Sequence, residues 1–197
     1  MKGGKKPIHF ITGNLHKFKE VSEIFNKSNL NQKYKLFHSN LESIEIQTEN
    51  LRDVAVFKIK SVKDKLNESC FVEDAGFFVD EPLNGFPGVY SAYIHKTIGN
   101  KGILKLIGEA SKTCAHFESV IALYFKPINE IKIFKGEVSG KIAKKMRGSH
   151  GFGFDPIFLP DTFPDKTFSE ISIEEKNKLS HRSQAFNKLV DFLKQNL

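Results

Sequence analysis

Apolar positions along the chain fall into short blocks whose spacing switches between the two regular periods. Ile8, Phe10 and Ile11 form a brief apolar run that stops at Thr12-Gly13-Asn14, predicting a buried strand that ends in a turn. Phe18, Val21, Ile24 and Phe25 then share one helical face, with Lys17, Lys19 and Glu20 lying elsewhere. Tyr34 to His38 predicts a second strand, and Leu51, Val54, Ala55, Ile59, Val62 and Leu66 trace a second helix capped by Asn50. Cys70-Phe71-Val72 and Phe77-Phe78-Val79 read as a strand whose apolar pattern is interrupted by Glu73-Asp74-Ala75-Gly76. Pro82 to Tyr90 predicts a Gly/Pro-rich loop, and Ile103, Leu104, Leu106 and Ile107 a third helix. Phe117 to Phe125 and Ile131 to Val138 predict two strands joined by a turn at Pro127-Ile128-Asn129-Glu130. A Gly-aromatic loop from Gly151 to Asp155 runs into Ile157-Phe158, and a last helix carries Phe186, Leu189, Val190, Leu193 and Leu197. The order predicts a mixed α/β fold with an antiparallel-rich second half. At 197 residues the chain suits a single domain, 1–197, with room for a small appended lobe.

Composition sharpens this picture in three ways. Hydrophobic residues make up 40 %, and 19 Phe with no Trp make the core aromatic. The net charge of +7 favours anionic partners. The lysines are scattered, however, as at Lys33, Lys35, Lys58, Lys60, Lys63, Lys65, Lys144 and Lys145, mostly beside acids at the spacing of a solvated face. A phosphate-bearing small molecule needs only a few of them. Cys70 and Cys114 lack partners at metal-finger spacing and are expected to be buried thiols. No segment is long enough for a membrane span, and the stretch from Met1 to Pro7 lacks the apolar core of a secretory signal, so a cytoplasmic protein is expected.

Particular segments carry candidate chemistry. Thr12-Gly13-Asn14-Leu15-His16-Lys17 places a strand end, a Gly and a helix start together, where backbone N–H groups and the helix dipole attract phosphate. Lys17 in the first helical turn opposes the dipole, which a bound phosphate would explain; the same residues also make a plain turn capped by Asn14. Glu73 and Asp74 are two acids in an apolar strand, costly to bury without a partner. Alternation sends them to opposite faces. With Glu45 as an additional carboxylate, they suit Mg²⁺, which takes one or two carboxylates plus phosphate oxygens and waters; a salt bridge to a lysine at the core edge is the other reading. Ser149-His150-Gly151-Phe152-Gly153-Phe154-Asp155-Pro156 makes a loop able to lie against a flat ligand, with Phe152 or Phe154 stacking and Asp155 accepting from a base N–H. It equally suits an ordinary bend. Glu175-Lys176-Asn177-Lys178-Leu179-Ser180-His181-Arg182 precedes the last helix, with Ser180 as its cap and with cations able to meet phosphate or base acceptors. A basic helix start at the surface would look the same.

Taken together, these segments resemble the inosine triphosphate pyrophosphatase (Ham1-like) family over roughly residues 8 to 195. The resemblance rests on Ile11-Thr12-Gly13-Asn14 with Lys17 and Glu20, on Val72-Glu73-Asp74, on Gly85-Phe86-Pro87-Gly88-Val89-Tyr90, on Gly151 through Phe158, and on Phe168-Ser169-Glu170-Ile171 leading through Glu175-Lys176-Asn177 to Ser180-His181-Arg182. It implies an elongated mixed β-sheet flanked by helices, two lobes with a central nucleotide-binding cleft, and a homodimer. It implies that Thr12, Gly13, Asn14, Leu15, His16 and Lys17 hold the triphosphate, joined by Lys58. Glu45 and Asp74 would hold Mg²⁺, or Mn²⁺ in its place, with Glu73 beside them. Phe152, Gly153, Phe154, Asp155, Lys176, His181 and Arg182 would recognise the base. The chain departs from the family's usual residues at Ala75, where Thr or Ser would add a hydroxyl contact, at Phe154, where Trp is common, and at His16.

The implied reaction hydrolyses ITP, dITP or XTP to the monophosphate and pyrophosphate. Asp74 would activate water, and Lys17 and Glu73 would complete the catalytic set. A Maf-like pyrophosphatase of other base preference is the nearest rival. A basic nucleic-acid-binding protein is a rival of another class, although no nucleic-acid module is recognisable.

Overall fold

The computed structural model describes residues 4–196. Leu197 and the first part of the Met1–Pro7 segment lie outside the described residues. Strands β1 (Lys6–Ile11) and β2 (Tyr34–Ser39) are parallel, as are β1 and β3 (Ser69–Val79). Parallel neighbours need crossovers, and α1 (Leu15–Lys27) and α2 (Leu51–Val62) supply helices for them. Asn14 and Asn50 cap these helices through their side chains. α2 stops at Val62; Leu66 lies past a short 3₁₀ turn in extended conformation, so the helical stripe expected to include it is shorter. β3 runs unbroken through Glu73-Asp74-Ala75-Gly76.

The second half holds β4 (Phe86–Gly88), α3 (Ser91–Thr97), α4 (Gly99–Ile107), β5 (Cys114–Phe125), β6 (Glu130–Ile142), β7 (Phe158–Pro160), α5 (Ile173–Leu179) and α6 (His181–Gln195). β4 pairs antiparallel with β3, and β7 with β6. The strand order is β2-β1-β3-β5-β6-β7, with β4 against β3. This is a mixed open sheet with flanking helices. β4 and α3 occupy the segment read as loop and its sequel. α5 forms where only the approach to the last helix was expected, on a capping box in which Ser172 and Glu175 satisfy each other's backbone N–H.

Two compact units divide the chain. The first comprises Met1–Asp74, Ser119–Gly136 and Arg182–Leu197; the second comprises Ala75–Glu118 and Glu137–His181. The first is built around Phe10, Phe71, Phe125 and Phe186, with Phe10 and Phe71 stacked at 4.6 Å. The second is built around Phe77, Phe117, Phe158 and Phe168. Aromatic pairs of this kind contribute about 0.5–1.5 kcal/mol each beyond their burial, which accounts for a core made without Trp. Cys70 is buried, which pushes its thiol up to about 12. Cys114 is exposed rather than buried, because it is the first residue of β5.

Candidate functional site

In the first unit, the turn after β1 is organised by its own side chains. Thr12 Oγ1 accepts from Asn14 N–H at 3.1 Å, and Asn14 Oδ1 accepts from His16 and Lys17 N–H at 3.0 and 3.2 Å. Gly13 and Leu15 carry the remaining N–H groups of the turn, and Leu15 and His16 are exposed. The first helical turn therefore aims the Lys17 ammonium at β3. Lys17 Nζ lies 2.6 Å from Glu73 Oε2 and 3.3 Å from the Glu73 carbonyl oxygen.

Glu73 and Asp74 take opposite faces of β3 and enter different charge environments. Glu73 is fully buried, and besides Lys17 it accepts from Ser119 Oγ at 2.7 Å and Arg182 Nε at 3.1 Å. Burial works to protonate Glu73, yet Arg182, Lys17 and the Ser119 hydroxyl together hold its carboxyl far below the usual carboxylate range. Arg182 Nη1 also meets Glu20 Oε2 at 2.5 Å. Two cations thus face two carboxylates.

The other cluster is not balanced. Lys58 Nζ lies 2.7 Å from Glu45 Oε1 and 2.8 Å from Asp74 Oδ1. Burial works to discharge Lys58, but Asp74 and Glu45 outweigh it and hold the ammonium above its ordinary value. Burial pushes the Asp74 carboxyl up, and Lys58 and Lys17 offset this only in part. One ammonium against two carboxylates leaves net negative charge, and Asp74 Oδ2 is buried without a hydrogen-bond partner. A divalent cation answers both deficits: hard oxygen donors are present, one carboxylate oxygen is unsatisfied, and the local charge calls for another cation. Asp74 and Glu45 therefore fit a metal.

In the second unit, Lys176 Nζ lies 2.7 Å from Asp155 Oδ2, and both side chains are buried. The same oxygen accepts from Phe152 N–H at 2.8 Å, and Lys176 stands 5.0 Å above the Phe152 ring. Gly151 makes this geometry available: its φ is +77°, and a Cβ there would stand 2.1 Å from Asp155 Oδ2. Gly153 O accepts from Asn100 Nδ2 at 3.0 Å, tying the loop to α4. The His181 ring stacks on Phe117 at 4.8 Å.

Comparison with known proteins shows the family. The profile of the Ham1 family matches residues 8–192. The chain belongs to the Ham1 family. A curated dITP/XTP pyrophosphatase of Thermococcus kodakarensis is 44 % identical over 190 residues, covering 96 % of this chain and 98 % of that protein. Another, of Pyrococcus horikoshii, is 45 % identical over 190 residues with the same coverage of both chains. The solved Ham1 protein of Staphylococcus aureus superposes with a TM-score of 0.82 at 31 % identity, over 98 % of this chain and all of that one. That of Coxiella burnetii gives 0.83 at 26 % identity, over 96 % of this chain and 99 % of that one.

In this Ham1 chain, Thr12, Asn14, Lys17, Glu45, Lys58, Glu73 and Asp74 gather in the first unit. Arg182, read from sequence with the base-recognition residues, lies with them in that unit, bound to Glu73 and Glu20. Phe152, Gly153, Asp155, Lys176 and His181 belong to the second unit. Phe154 is 3 % exposed, stacked on Phe77 at 4.8 Å with His95 against its edge. It serves the core, whereas Phe152 is partly exposed. Ala75 follows the acidic pair on β3 and brings no polar side chain. Ser119 was missing from the site as read from sequence, and Glu20 stood only in the first matching block, without a role. Ser119 is a fully buried hydroxyl in an apolar strand, which is a legible signal; Glu20 lies three residues after Lys17 on α1, a spacing that shares a face. The two phenylalanines should separate cleanly. Phe152→Ala is expected to raise KM for ITP with little change in thermal stability, whereas Phe154→Ala should cost about 3–5 kcal/mol of stability. Steady-state kinetics beside urea denaturation of both variants checks this.

Among the described residues, no helix is long and apolar enough to cross a membrane.

Proposed function

We propose that this chain, acting as one catalytic domain, hydrolyses non-standard purine nucleoside triphosphates, namely ITP, dITP and XTP, to the monophosphate and pyrophosphate. It is a nucleoside triphosphate pyrophosphatase. The observation that carries the mechanism is the unbalanced cluster at Asp74, where a buried carboxylate oxygen has no partner. Asp74 and Glu45 would hold Mg²⁺, with Mn²⁺ as a substitute. The ion would supply charge neutralisation to the phosphate chain. Asp74 accepts the proton of a water whose oxygen attacks the α-phosphorus, and the bond from phosphorus to the α–β bridging oxygen breaks. Pyrophosphate leaves with that oxygen. Lys17 and Lys58 stabilise its charge, and the turn from Thr12 to His16 seats the phosphate chain. Glu73 acts by fixing Lys17 and Arg182.

Base recognition falls to the second unit's loop and helix. The Lys176 ammonium, oriented by Asp155, donates to a 6-keto oxygen, and His181 adds a second polar contact; Phe152 stacks on the ring. Adenine presents a 6-amino group to those donors and leaves them unpaired. Ala75 contributes only backbone to the substrate. The chain forms a homodimer in this reading, and its interface would cover exposed apolar side chains. Action on the nucleotide pool would suit a cytoplasmic enzyme.

Pyrophosphate release from ITP, dITP, XTP, GTP, ATP and UTP, with Mg²⁺ and with chelator, tests this reading. ITP and XTP are expected to exceed ATP in kcat/KM by at least about a hundredfold, since a buried donor left unpaired is a strong discriminator. Turnover should vanish in chelator. Equal use of ATP and ITP would remove the specificity, and a pyrimidine preference would point to a Maf-like enzyme instead.

A further inference from the structure

A separate group of metal-ligating side chains lies within the second unit, apart from the acidic pair. Alternation along β5 places His116 and Glu118 on one face of the strand, opposite Phe117, which is in the core. Glu137 comes from β6, the neighbouring strand. A ligand atom of each of the three lies within 4.8 Å of the others. Donor atoms sharing one tetrahedral ion at Zn–N and Zn–O lengths stand about 3.4 Å apart. Binding an ion would draw these partly or fully exposed side chains together.

Two contacts from outside the group prepare the imidazole. His116 Nδ1 is 2.9 Å from Asp80 Oδ2, and the ring lies parallel to Phe78 at 4.7 Å. A carboxylate that accepts from one ring nitrogen sets the tautomer and leaves the lone pair on the other, which is the usual support behind a metal-bound histidine. Asp80 is placed by the chain itself, since its backbone N–H donates to the Cys114 carbonyl oxygen at 2.8 Å. A ring fixed on both its face and its edge loses little freedom on taking a ligand.

We propose that His116, Glu118 and Glu137 form a second divalent-cation site, selective for a nitrogen-tolerant ion such as Zn²⁺ over Mg²⁺. The donor set decides the class of ion. One imidazole with two carboxylates suits Zn²⁺, whereas Mg²⁺ prefers oxygen ligands in octahedral array and gives up its waters reluctantly. The site joins β5 to β6, so its occupancy stabilises the second unit.

Calorimetric titration of the chelator-stripped full chain with ZnCl₂, in saturating Mg²⁺ to fill the Asp74 site, tests the proposal. The expected result is one Zn²⁺ bound per chain, with a rise in Tm. His116→Ala and Glu137→Gln should each weaken Zn²⁺ at least about tenfold, while Asp74→Asn leaves it unchanged. Glu137 is exposed, so its variant keeps the test valid even where His116→Ala fails to fold. The proposal is overturned by absence of Zn²⁺ binding, by wild-type affinity in a folded Glu137→Gln protein, or by loss of binding in Asp74→Asn.

Discussion

Asp74→Asn is expected to lower kcat for ITP by about 10²–10⁴-fold, the usual contribution of a general base, while leaving the metal-free protein at least as stable as wild type. The two halves of this result come from the same burial. The Asp74 carboxyl lies on the face of β3 that meets Lys58, and burial raises its pKa despite that ammonium. A carboxyl whose folded pKa lies above its unfolded value carries its charge at a cost to folding at neutral pH, and the cost disappears as pH falls through the folded pKa. Asparagine keeps the shape and removes the charge, so the cost goes. Lys58 retains Glu45 as a partner. Turnover and the thermal transition in chelator, measured on one preparation, decide the matter. Full turnover would sink the catalytic role, and a much lower Tm would contradict the account of burial.

Glu73→Gln should show the reverse balance, with a stability loss of about 3–5 kcal/mol, because it takes the counter-charge from Lys17 and one of two from the buried Arg182, which keeps Glu20. For a chain of this size that corresponds to a Tm drop on the order of 6–20 °C. Arg182 is 2 % exposed, and Lys17 is held by the same carboxylate. The sign of the pH dependence follows from the pKa. Glu73 is held well below the ordinary value of 4.5, so its contribution is complete above that pH and is lost as pH falls below it. Urea unfolding from pH 7 downward should therefore steepen in the wild type below about 4.5 and be flatter in the variant. Catalysis would suffer as well, because Lys17 loses its anchor. A variant of wild-type stability would show that the network is dispensable.

Much of the fold was legible because its elements are amphipathic. Phe18, Val21, Ile24 and Phe25 have one environment because α1 presents one stripe to one core. α3 and α5 were harder to read. Each is only seven residues long, too short to repeat a stripe, and α5 depends on a capping box that reads equally well as a polar loop. Leu66 continues the α2 spacing, but the chain turns away after Val62. Phe154 shows the limit for the site. Its Gly-flanked setting suggested a ring offered to a ligand, and only packing against Phe77 reveals it as core.

The acidic pair marks the division most clearly. From sequence alone, an apolar strand containing adjacent acids had to send them to opposite faces, since the strand period is two. That local rule separated Glu73 from Asp74 before any contact was known. Which face would carry balanced charge was decided by the tertiary structure. Arg182 reaches Glu73 across 109 positions of chain, and Ser119 reaches it across 46. No spacing rule spans such distances. The sheet and the last helix bring those groups to one side of β3 and leave Asp74 Oδ2 unsatisfied on the other. Periodicity is a property of neighbours along the chain, whereas burial and charge pairing belong to neighbours in space.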